Sequence, residues 1–587
     1  MKFFIFKQTV IILILLTAFM PPSAAAQTLP VGDPLETYIR ILQADADPAK
    51  TSSYLIRPLN STNIELLREE NVQLHPWQNN PTFAGLEEWN RYMDGRLTII
   101  PLSPRMSTYY NNNLPLGQND GLMWQGRGYN HLASAGLHIE YGPLRATLRP
   151  EFTHSINRSF EALPPGRVYI SWPYEGNEYM QRLSRIDMPY RFGDNSFSTF
   201  HAGQSTLSLN YAGATAGVST ANNWSGPALH NPLLMSNNAP GFFHAFLGTD
   251  GPLQTQYGNI EARMFWGGLK ESDYYDDNPA NNLRFISGLE FNYSPPFLPE
   301  LSVGFARTFV EYYPEDGLTF SHLVRPFNAF TKDNFSESQE VQFSYNDNPT
   351  TQTGDTAINL MSFFARWKIP QHNFEVWAEW GKNENTNDRR NFLLERVHTR
   401  SYVLGFQKRF EIPQNRWITF NGEITQIENL EDTGGTDYPV WYEHLYVSQG
   451  YTHRGQVLGA GIGPGGTSQK FRVDFYDKLG LLGFSANRIE YNNDRLYRHQ
   501  SHIVRNQERI LKDHWDHTIP QNPSAHDIHE TEFRFGGHLL LFLPYNFEFQ
   551  GDIYRSILLN RFNVYDNDYT NLNLQFTLRY QIPGMGR

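Results

Sequence analysis

The final segment of the chain alternates apolar and polar residues over a long stretch. Residues 572–582 carry Leu, Leu, Phe, Leu, Tyr and Ile at every second position, with Asn, Gln, Thr, Arg and Gln between them. Because successive side chains of a β-strand point to opposite faces, this segment has one apolar and one polar face. Its length matches the roughly 9–11 residues that a tilted strand needs to cross a membrane. The pattern therefore predicts a membrane-spanning strand.

The same alternation recurs from about residue 96 onward. The chain contains 41 Phe, 32 Tyr, 45 Gly and 36 Pro, a composition typical of many short strands joined by turns. We predict an all-β fold, a transmembrane antiparallel β-barrel of about 18 strands over residues 96–587. Further segments with this alternation are 137–141, 289–293, 301–305, 374–380 and 418–424.

A soluble β-sandwich is the alternative fold. A barrel of this many strands has a lumen too wide for its wall side chains to fill, so its inner face must be polar and wet. The apolar face then meets lipid, which favours the barrel. On this view Glu375, Trp377 and Glu379 point into the lumen, between the apolar positions of their strand.

The first 26 residues predict a secretory signal peptide. Lys2 and Lys7 accompany an apolar stretch over 9–19, and 23–26 supply small residues for cleavage before Gln27. The net charge is −12, and removing these two lysines makes the mature chain more acidic still. Since phosphate recognition needs a basic surface, we predict no nucleic-acid partner. The chain has no Cys, so no disulfide contributes to its fold.

Residues 27–95 follow a helical pattern instead. Asp33 and Pro34 are suited to the N-cap and first position of a helix, and Glu36 is placed to close a capping box. Second and third helices are predicted over 60–67 and 86–92. We expect a small periplasmic helical region that caps the barrel. The apolar residues on one face of the first helix are Leu35, Tyr38, Ile39 and Leu42.

The lengths of the connections predict the orientation. Bacterial outer-membrane barrels have short periplasmic turns and longer external loops. We therefore assign the short connections to the periplasm and the long ones to the cell surface. The short connections are 142–143, 294–300, 368–373, 411–416 and 544–546, and the long ones are 155–198, 221–240, 312–338, 381–400, 428–450 and 489–530.

No motif in the chain assembles a catalytic or metal site. The His-rich stretches 513–517 and 526–530 lack the spacing of a zinc motif and are interpreted as a solvated external loop. No G-x-S-x-G elbow occurs, and the Gly-rich stretches 126–128 and 463–466 lack the features of a phosphate loop. We predict no catalytic residue, metal or cofactor. A hydrolase assembled from separate loops is left as an alternative.

Three blocks of sequence stand out from the strand pattern: LPLGQNDG with WQGRG over 114–128, GVST, WSGP and LMSNNAPG over 217–241, and GYTHRGQ with GIGPG over 450–465. These blocks, together with YGPL through LRPEF over 141–152, resemble the Wzi family of capsule-assembly proteins, in the style of its Bacteroidetes branch. The resemblance implies an outer-membrane barrel of about eighteen strands with a small periplasmic helical part. It also implies a non-catalytic, lectin-like protein that binds or anchors capsular or other surface polysaccharide.

Residues 124–128, 221–240 and 450–454 are far apart in sequence, yet each of these segments falls at the predicted external end. We expect them to converge on one glycan site, because aromatic faces stack on sugar rings while polar groups bond to hydroxyls. The alternative is that the blocks are structural and seal the barrel. For function, the alternative is an outer-membrane channel or transporter. Outer-membrane lipid is an expected partner, and no protein partner is predicted. The candidate glycan contacts are Trp124, Arg127, Trp224, Asn237, Asn238, Tyr451, His453 and Arg454.

Overall fold

A closed antiparallel barrel of 18 strands organises the protein. The computed structural model describes residues 29–69, 75–78, 90–92, 96–160, 186–276, 278–314, 316–327, 338–345, 348–355, 357–383, 400–428, 440–444, 446–494, 529–561 and 566–582. The predicted signal peptide and the His-rich stretch 513–517 lie outside these residues, as does most of 526–530. The fold class and strand number predicted from the alternation are confirmed.

The barrel strands follow the chain in order, and each pairs with its sequence neighbours. They are β1 (Leu97–Asn111), β2 (Gly128–Tyr141), β3 (Leu144–Leu148 and Glu151–Ser155), β4 (Phe197–His201 and Thr206–Tyr211), β5 (Ala214–Ser219), β6 (His244–Thr249 and Leu253–Thr255), β7 (Gly258–Lys270), β8 (Leu283–Ser294), β9 (Leu301–Tyr312), β10 (Ala357–Ile369), β11 (Phe374–Asn383), β12 (Arg400–Ile412), β13 (Arg416–Gln426), β14 (Thr467–Asp477), β15 (Gly480–Tyr491), β16 (Glu530–Leu543), β17 (Phe547–Leu559) and β18 (Tyr569–Tyr580). The barrel closes where β18 pairs with β1, from Asn573 opposite Asn111 to Arg579 opposite Arg105.

The period-two pattern places side chains as predicted. In β18, Phe576 and Leu578 are exposed on the outer face, whereas Asn573 and Arg579 are buried on the inner face. This arrangement gives the barrel an apolar outer surface and a polar inner wall.

The connections divide between the two ends of the barrel. Because consecutive strands are antiparallel, every second connection emerges at the same end. One end, the short-turn end, carries the turns expected near 142, 295, 370, 413 and 544, together with 212–213, 256–257 and 478–479. The other, the long-link end, carries all the longer links between strands, including 112–127, 220–243 and 427–466. Gly142 has φ +55° in the first of the short turns, a conformation that favours glycine.

The N-terminal segment lies inside the barrel rather than below it. Helix α1 (Pro34–Leu42) begins at Asp33, whose carboxylate accepts a hydrogen bond from the Leu35 N–H at 3.0 Å, and α2 is Ser61–Glu69. Tyr38 of α1 packs in the lumen against Trp417 and Tyr476, which lie at the short-turn ends of β13 and β14. The first two predicted helices are thus present, whereas Asn90–Tyr92 of the third is a strand that pairs with β1.

Smaller elements complete the described chain. The strand Ile56–Arg57 pairs with Trp224–Ser225 inside the lumen, and Thr452–His453 pairs with Gln456–Val457. Between β9 and β10 the chain forms α3 (Phe320–Val324), a 3-10 turn (Arg325–Phe327) and a hairpin of Ser338–Tyr345 and Asn348–Asp355. Two further 3-10 turns, Pro370–His372 and Pro544–Asn546, lie at the short-turn end. None of the helices in the described ranges is long and apolar enough to cross a membrane.

The described residues of two long links, 220–243 and 427–466, turn inward and fill the lumen from the long-link end. Their buried residues form a core with inward-facing residues of the wall, such as Ile286 and Val403. The expected polar inner wall is present, but the expectation of a wet lumen was wrong for this part of the barrel, because the wall meets folded chain there. Large residues of the links in this core include Leu233, Trp441, Tyr442, Tyr451 and Leu458.

Candidate functional site

Glutamates of the inner wall hold the filling segments in place. The Glu423 carboxylate accepts three backbone N–H groups, from Leu229 at 2.6 Å, His230 at 3.0 Å and Asn231 at 2.9 Å. Glu375 pairs with Arg40 of α1, as expected for an inward residue of β11. Buried backbone donors need partners, so these carboxylates fix where each link lies. Others that hold the segments are Glu261, which accepts from Ser52 and Ser53, and Glu290, which accepts from Ser225.

An open cleft of about 240 Å³ lies at the long-link end, where the links 112–127, 220–243 and 427–466 meet described residues of the link 156–196. Its lining comes from residues 114–120, 123–125, 188–190, Asn238, 455–457, Gly461 and Ile462. The three sequence blocks therefore converge, although more than 200 residues separate Asn238 from Gly461. The strand ends that complete the lining contribute Tyr491, Asn492, Glu530, Leu558 and Arg561.

Side-chain amides join the three blocks beneath the cleft. Asn237 Nδ2 donates to the Asn119 carbonyl at 3.0 Å, and Asn238 Nδ2 donates to the Val457 carbonyl at 3.0 Å. Gln118 Nε2 donates to the Gly461 carbonyl at 3.3 Å. Because each bond joins a different pair of links, the floor of the cleft is formed by the chain itself and does not need a ligand.

The lining combines one indole with polar groups. Trp124 is half-buried and lies 4.6 Å from the Phe192 ring, with an interplanar angle of 43°. Asn119 Oδ1 is buried and has no hydrogen-bond partner among the described residues, although the residue lines the cleft. An indole face beside amides suits a ligand that carries both C–H faces and hydroxyls.

Three of the eight candidate residues are packed into the lumen. Trp224 is 3% exposed, its Nε1 donates to the Ala228 carbonyl at 3.1 Å, and the Arg57 guanidinium lies 4.6 Å from its ring. Tyr451 stacks on Tyr442 and has no exposed surface. These side chains are therefore bound by the protein itself and do not reach the cleft.

His453 is the third buried candidate. Its Nδ1 accepts the Lys270 backbone N–H at 3.0 Å. Burial holds the pKa of His453 well below its usual value, with the charge of Arg454 acting in the same direction. The imidazole is consequently neutral, as an acceptor nitrogen requires.

The other candidates lie at or near the rim. Trp124 and Asn238 line the cleft, and Asn237 supports it from below. Arg127 Nε donates to the Asn112 carbonyl at 3.0 Å, and Arg454 donates its backbone N–H to the Lys270 carbonyl at 2.8 Å. Both arginines are half-buried and stand apart from the cleft lining.

A model of the capsule assembly protein Wzi family matches residues 113–499. The chain belongs to the Wzi family. The matched residues include all three converging blocks and most of the barrel strands. No curated protein sequence matches the chain.

Solved structures show the same fold for this Wzi-family chain. Wzi of Escherichia coli is described as an outer membrane protein involved in group 1 capsule assembly and as a carbohydrate-binding β-barrel. It is 10% identical, the match covers 95% of this chain and 99% of that one, and the TM-score is 0.56. Likeness at this identity establishes the fold only.

Structures of another kind of barrel match less well. OccAB2 of Acinetobacter baumannii is 11% identical, with a TM-score of 0.39 and coverage of 81% of this chain and 98% of that one. OccK2 of Pseudomonas aeruginosa, solved with glucuronate, is 10% identical, with a TM-score of 0.38 and coverage of 84% and 99%. TM-scores this low give no basis for inferring the function of this chain.

Several cleft residues of this Wzi-family chain were missed at the level of sequence. Gln118, Asn119 and Asp120 stand inside the first recognised block, so a signal for them was available. Asn492 and Arg561 follow β15 and β17 outside the recognised blocks, and nothing in the sequence pattern distinguishes them. Only the pairing of the strands into a closed barrel brings these two residues to the rim of the cleft.

Asp120 makes the stability of this region depend on pH. Burial raises its pKa to about 7 from 3.8, and its Oδ2 accepts a hydrogen bond from Gln125 at 2.8 Å. Between these values the folded protein keeps a proton that the unfolded chain releases. Stability should therefore fall as pH rises from about 4 to 7, by an amount on the order of a few kcal/mol.

We expect Asp120→Asn to remove this dependence, since the amide imitates the protonated carboxyl. Denaturant unfolding of the refolded barrel at pH 5 and pH 8 measures the effect. Asp316→Asn, at an exposed position, is the control and should keep the wild-type difference between the two pH values. An unchanged difference in the Asp120 variant would assign the proton to another group.

Proposed function

We propose that this protein is a non-catalytic outer-membrane barrel that binds capsular or other surface polysaccharide and helps capsule assembly. The observation that carries the proposal is the convergence of three distant sequence blocks on one open cleft above a filled lumen. Its indole and amide lining fits a sugar better than a purely apolar ligand. Membership of the Wzi family supports this choice.

We assign the short-turn end to the periplasm and the long-link end to the cell surface. Long external loops and short periplasmic turns are the rule for bacterial outer-membrane barrels. The cleft then faces the space that capsule occupies. Residues 1–26 act as the signal peptide that exports the chain.

Within the cleft, Trp124 stacks on the sugar face and Asn238 and Asn119 bond to its hydroxyls. Asn119 Oδ1 has no hydrogen-bond partner within the described chain, so a side-chain rotation that turns this buried oxygen toward the cleft lets it accept from a ligand hydroxyl. Trp224, Tyr451 and His453 take the structural role that was left open as the alternative, and they position the links that form the cleft. Asn237 supports Asn119 from below, and Arg127 and Arg454 meet longer chains at the rim.

Replacing Trp124 by Ala tests this proposal. Loss of a central aromatic contact is expected to cost about 2 kcal/mol, which is roughly a thirtyfold loss of affinity. Calorimetry with surface polysaccharide from the source organism, against an unrelated glycan, measures it. The polysaccharide should be recovered at its original chain length, because no catalytic step is proposed.

The control is Trp367→Ala, which removes a half-exposed indole from the outer face of β10. This variant should bind the polysaccharide as the wild type does. Both variants should keep the heat-dependent gel migration of a folded barrel. Wild-type affinity in folded Trp124→Ala protein would remove the cleft as the binding site.

A further inference from the structure

The described residues at the start of the link between β9 and β10 fold back over the outside of the barrel. We call Tyr313, Pro314 and residues 316–327 the outer flap. On β7, Phe265 faces the lumen and is fully buried, so its neighbour Trp266 lies on the outer face. Trp266 Nε1 donates to the Leu323 carbonyl of the flap at 2.8 Å. This bond fixes the flap to the outer surface of the barrel.

The flap covers a patch of wall near the long-link end. On the outer face of β8, Leu283 is 51% exposed but Phe285 is only 3% exposed. The Tyr313 ring meets Phe285 edge-on at 6.1 Å. The Arg325 guanidinium lies 6.0 Å from the Phe309 ring, which is buried although it too is on the outer face. Residues that would otherwise face outward are thus packed under the flap.

Part of the covered patch is charged. Glu311 lies on the outer face of β9 and forms an ion pair with Arg325 of the flap. Arg307 lies two positions away from Glu311 on the same face, toward the short-turn end, and donates from Nε to Asn359 Oδ1 of β10 at 3.1 Å. Charges on the lipid-facing side of a barrel destabilise it at a depth-dependent cost. The flap supplies the counter-ion of Glu311 and covers this charged part of the wall.

The outer surface of the flap is rich in apolar groups. Phe320 is 76% exposed, Phe327 is 64% exposed and Leu318 is 39% exposed. The exposed polar residues Asp316, Thr319 and Ser321 lie among them. This mixture is typical of a segment at a membrane interface. The flap begins beside the exposed Leu283 of the barrel's outer face, where the Tyr313 N–H donates to the Leu283 carbonyl at 3.3 Å.

We propose that the outer flap is inserted in the external leaflet of the membrane, where lipid acyl chains pack against Phe320 and Phe327. The inference rests on the proposed outer-membrane location and orientation of the barrel, and it is independent of glycan binding. The lipid surface on this side of the barrel is then formed by the flap instead of by the strands. Arg325 and Glu311 hold the flap to the wall.

Single-cysteine variants test the insertion, because the chain has no cysteine of its own. Phe320→Cys and Phe327→Cys each take one nitroxide label in protein reconstituted into lipid bilayers. Phe420→Cys, on the outer face of β13, is the lipid control, and Ala280→Cys, exposed in the link after β7, is the water control. The flap labels should match Phe420 in the ratio of collisions with oxygen to collisions with a polar nickel chelate.

Each other outcome overturns the proposal in its own way. A collision ratio equal to that of Ala280 would place the flap in water. Spin–spin broadening that grows with protein density would assign the surface to a second copy of the chain. A Phe420 label that is accessible to nickel would reject the membrane location of the barrel, and with it the flap insertion, whatever the glycan measurements give.

Discussion

Glu423→Ala should release a segment that fills the barrel and turn a closed barrel into a conducting one. Three backbone N–H groups, of Leu229, His230 and Asn231, lose their acceptor together. Each unpaired buried donor costs about 1–3 kcal/mol, so the loss is roughly 3 kcal/mol or more. Residues 229–231 of the link 220–243 then lose the contact that holds them against β13.

Planar-bilayer recording measures this effect directly. Wild-type protein should give no steady openings, whereas the Glu423 variant should give discrete conductance steps. Glu411→Ala is the matched control, because the Glu411 side chain is 59% exposed at the short-turn end and, among the described residues, it bonds to Arg409 and Asn373 and to none of the inward-turning links. Steady openings of the wild type would favour the channel alternative. A silent Glu423 variant would show that other contacts suffice to hold the link.

Glu375→Ala should lower stability by about 3–5 kcal/mol, the usual cost of removing one partner of a buried ion pair. The Glu375 carboxylate bonds to Arg40 Nε at 2.7 Å and to Arg366 Nε at 2.8 Å. Arg40 also donates to the Pro227 carbonyl at 2.6 Å. One carboxylate therefore ties α1, β10, β11 and the link 220–243 together, and its removal leaves two buried guanidinium groups without that partner.

The shift of the urea midpoint, followed by gel migration of the folded barrel, reports this loss. Glu411→Ala should unfold at the wild-type urea concentration. Glu375→Gln, which keeps one acceptor oxygen but no charge, should fall between the wild type and the Ala variant. If Glu375→Ala unfolds at the same urea concentration as the wild type, the two arginines have found other partners. The ion pair between Glu375 and Arg40 then does not anchor α1.

Local patterns in the sequence determined the class of fold. The alternation near Phe576 fixes which side chains face outward, because the period of a strand is a property of its backbone. Asp33 and Pro34 start α1 through local capping. Turns such as Gly142-Pro143 and the longer links separate the two ends of the barrel, since strand direction alternates. The recognised blocks also indicated the family. None of these features depends on contacts between distant parts of the chain.

Only the tertiary structure decided which polar residues stay open to a ligand. Trp124 and Trp224 stand in comparable blocks, yet Trp124 lines the cleft while Arg57 covers Trp224. The polar inner face of β13 predicts contact with water, but the Glu423 carboxylate instead accepts backbone N–H groups of the link 220–243. Glu311, on the outer face, is covered by Arg325. In each case the partner residue comes from another segment of the chain, and the alternation of residues along a strand does not indicate which segment will pack against it.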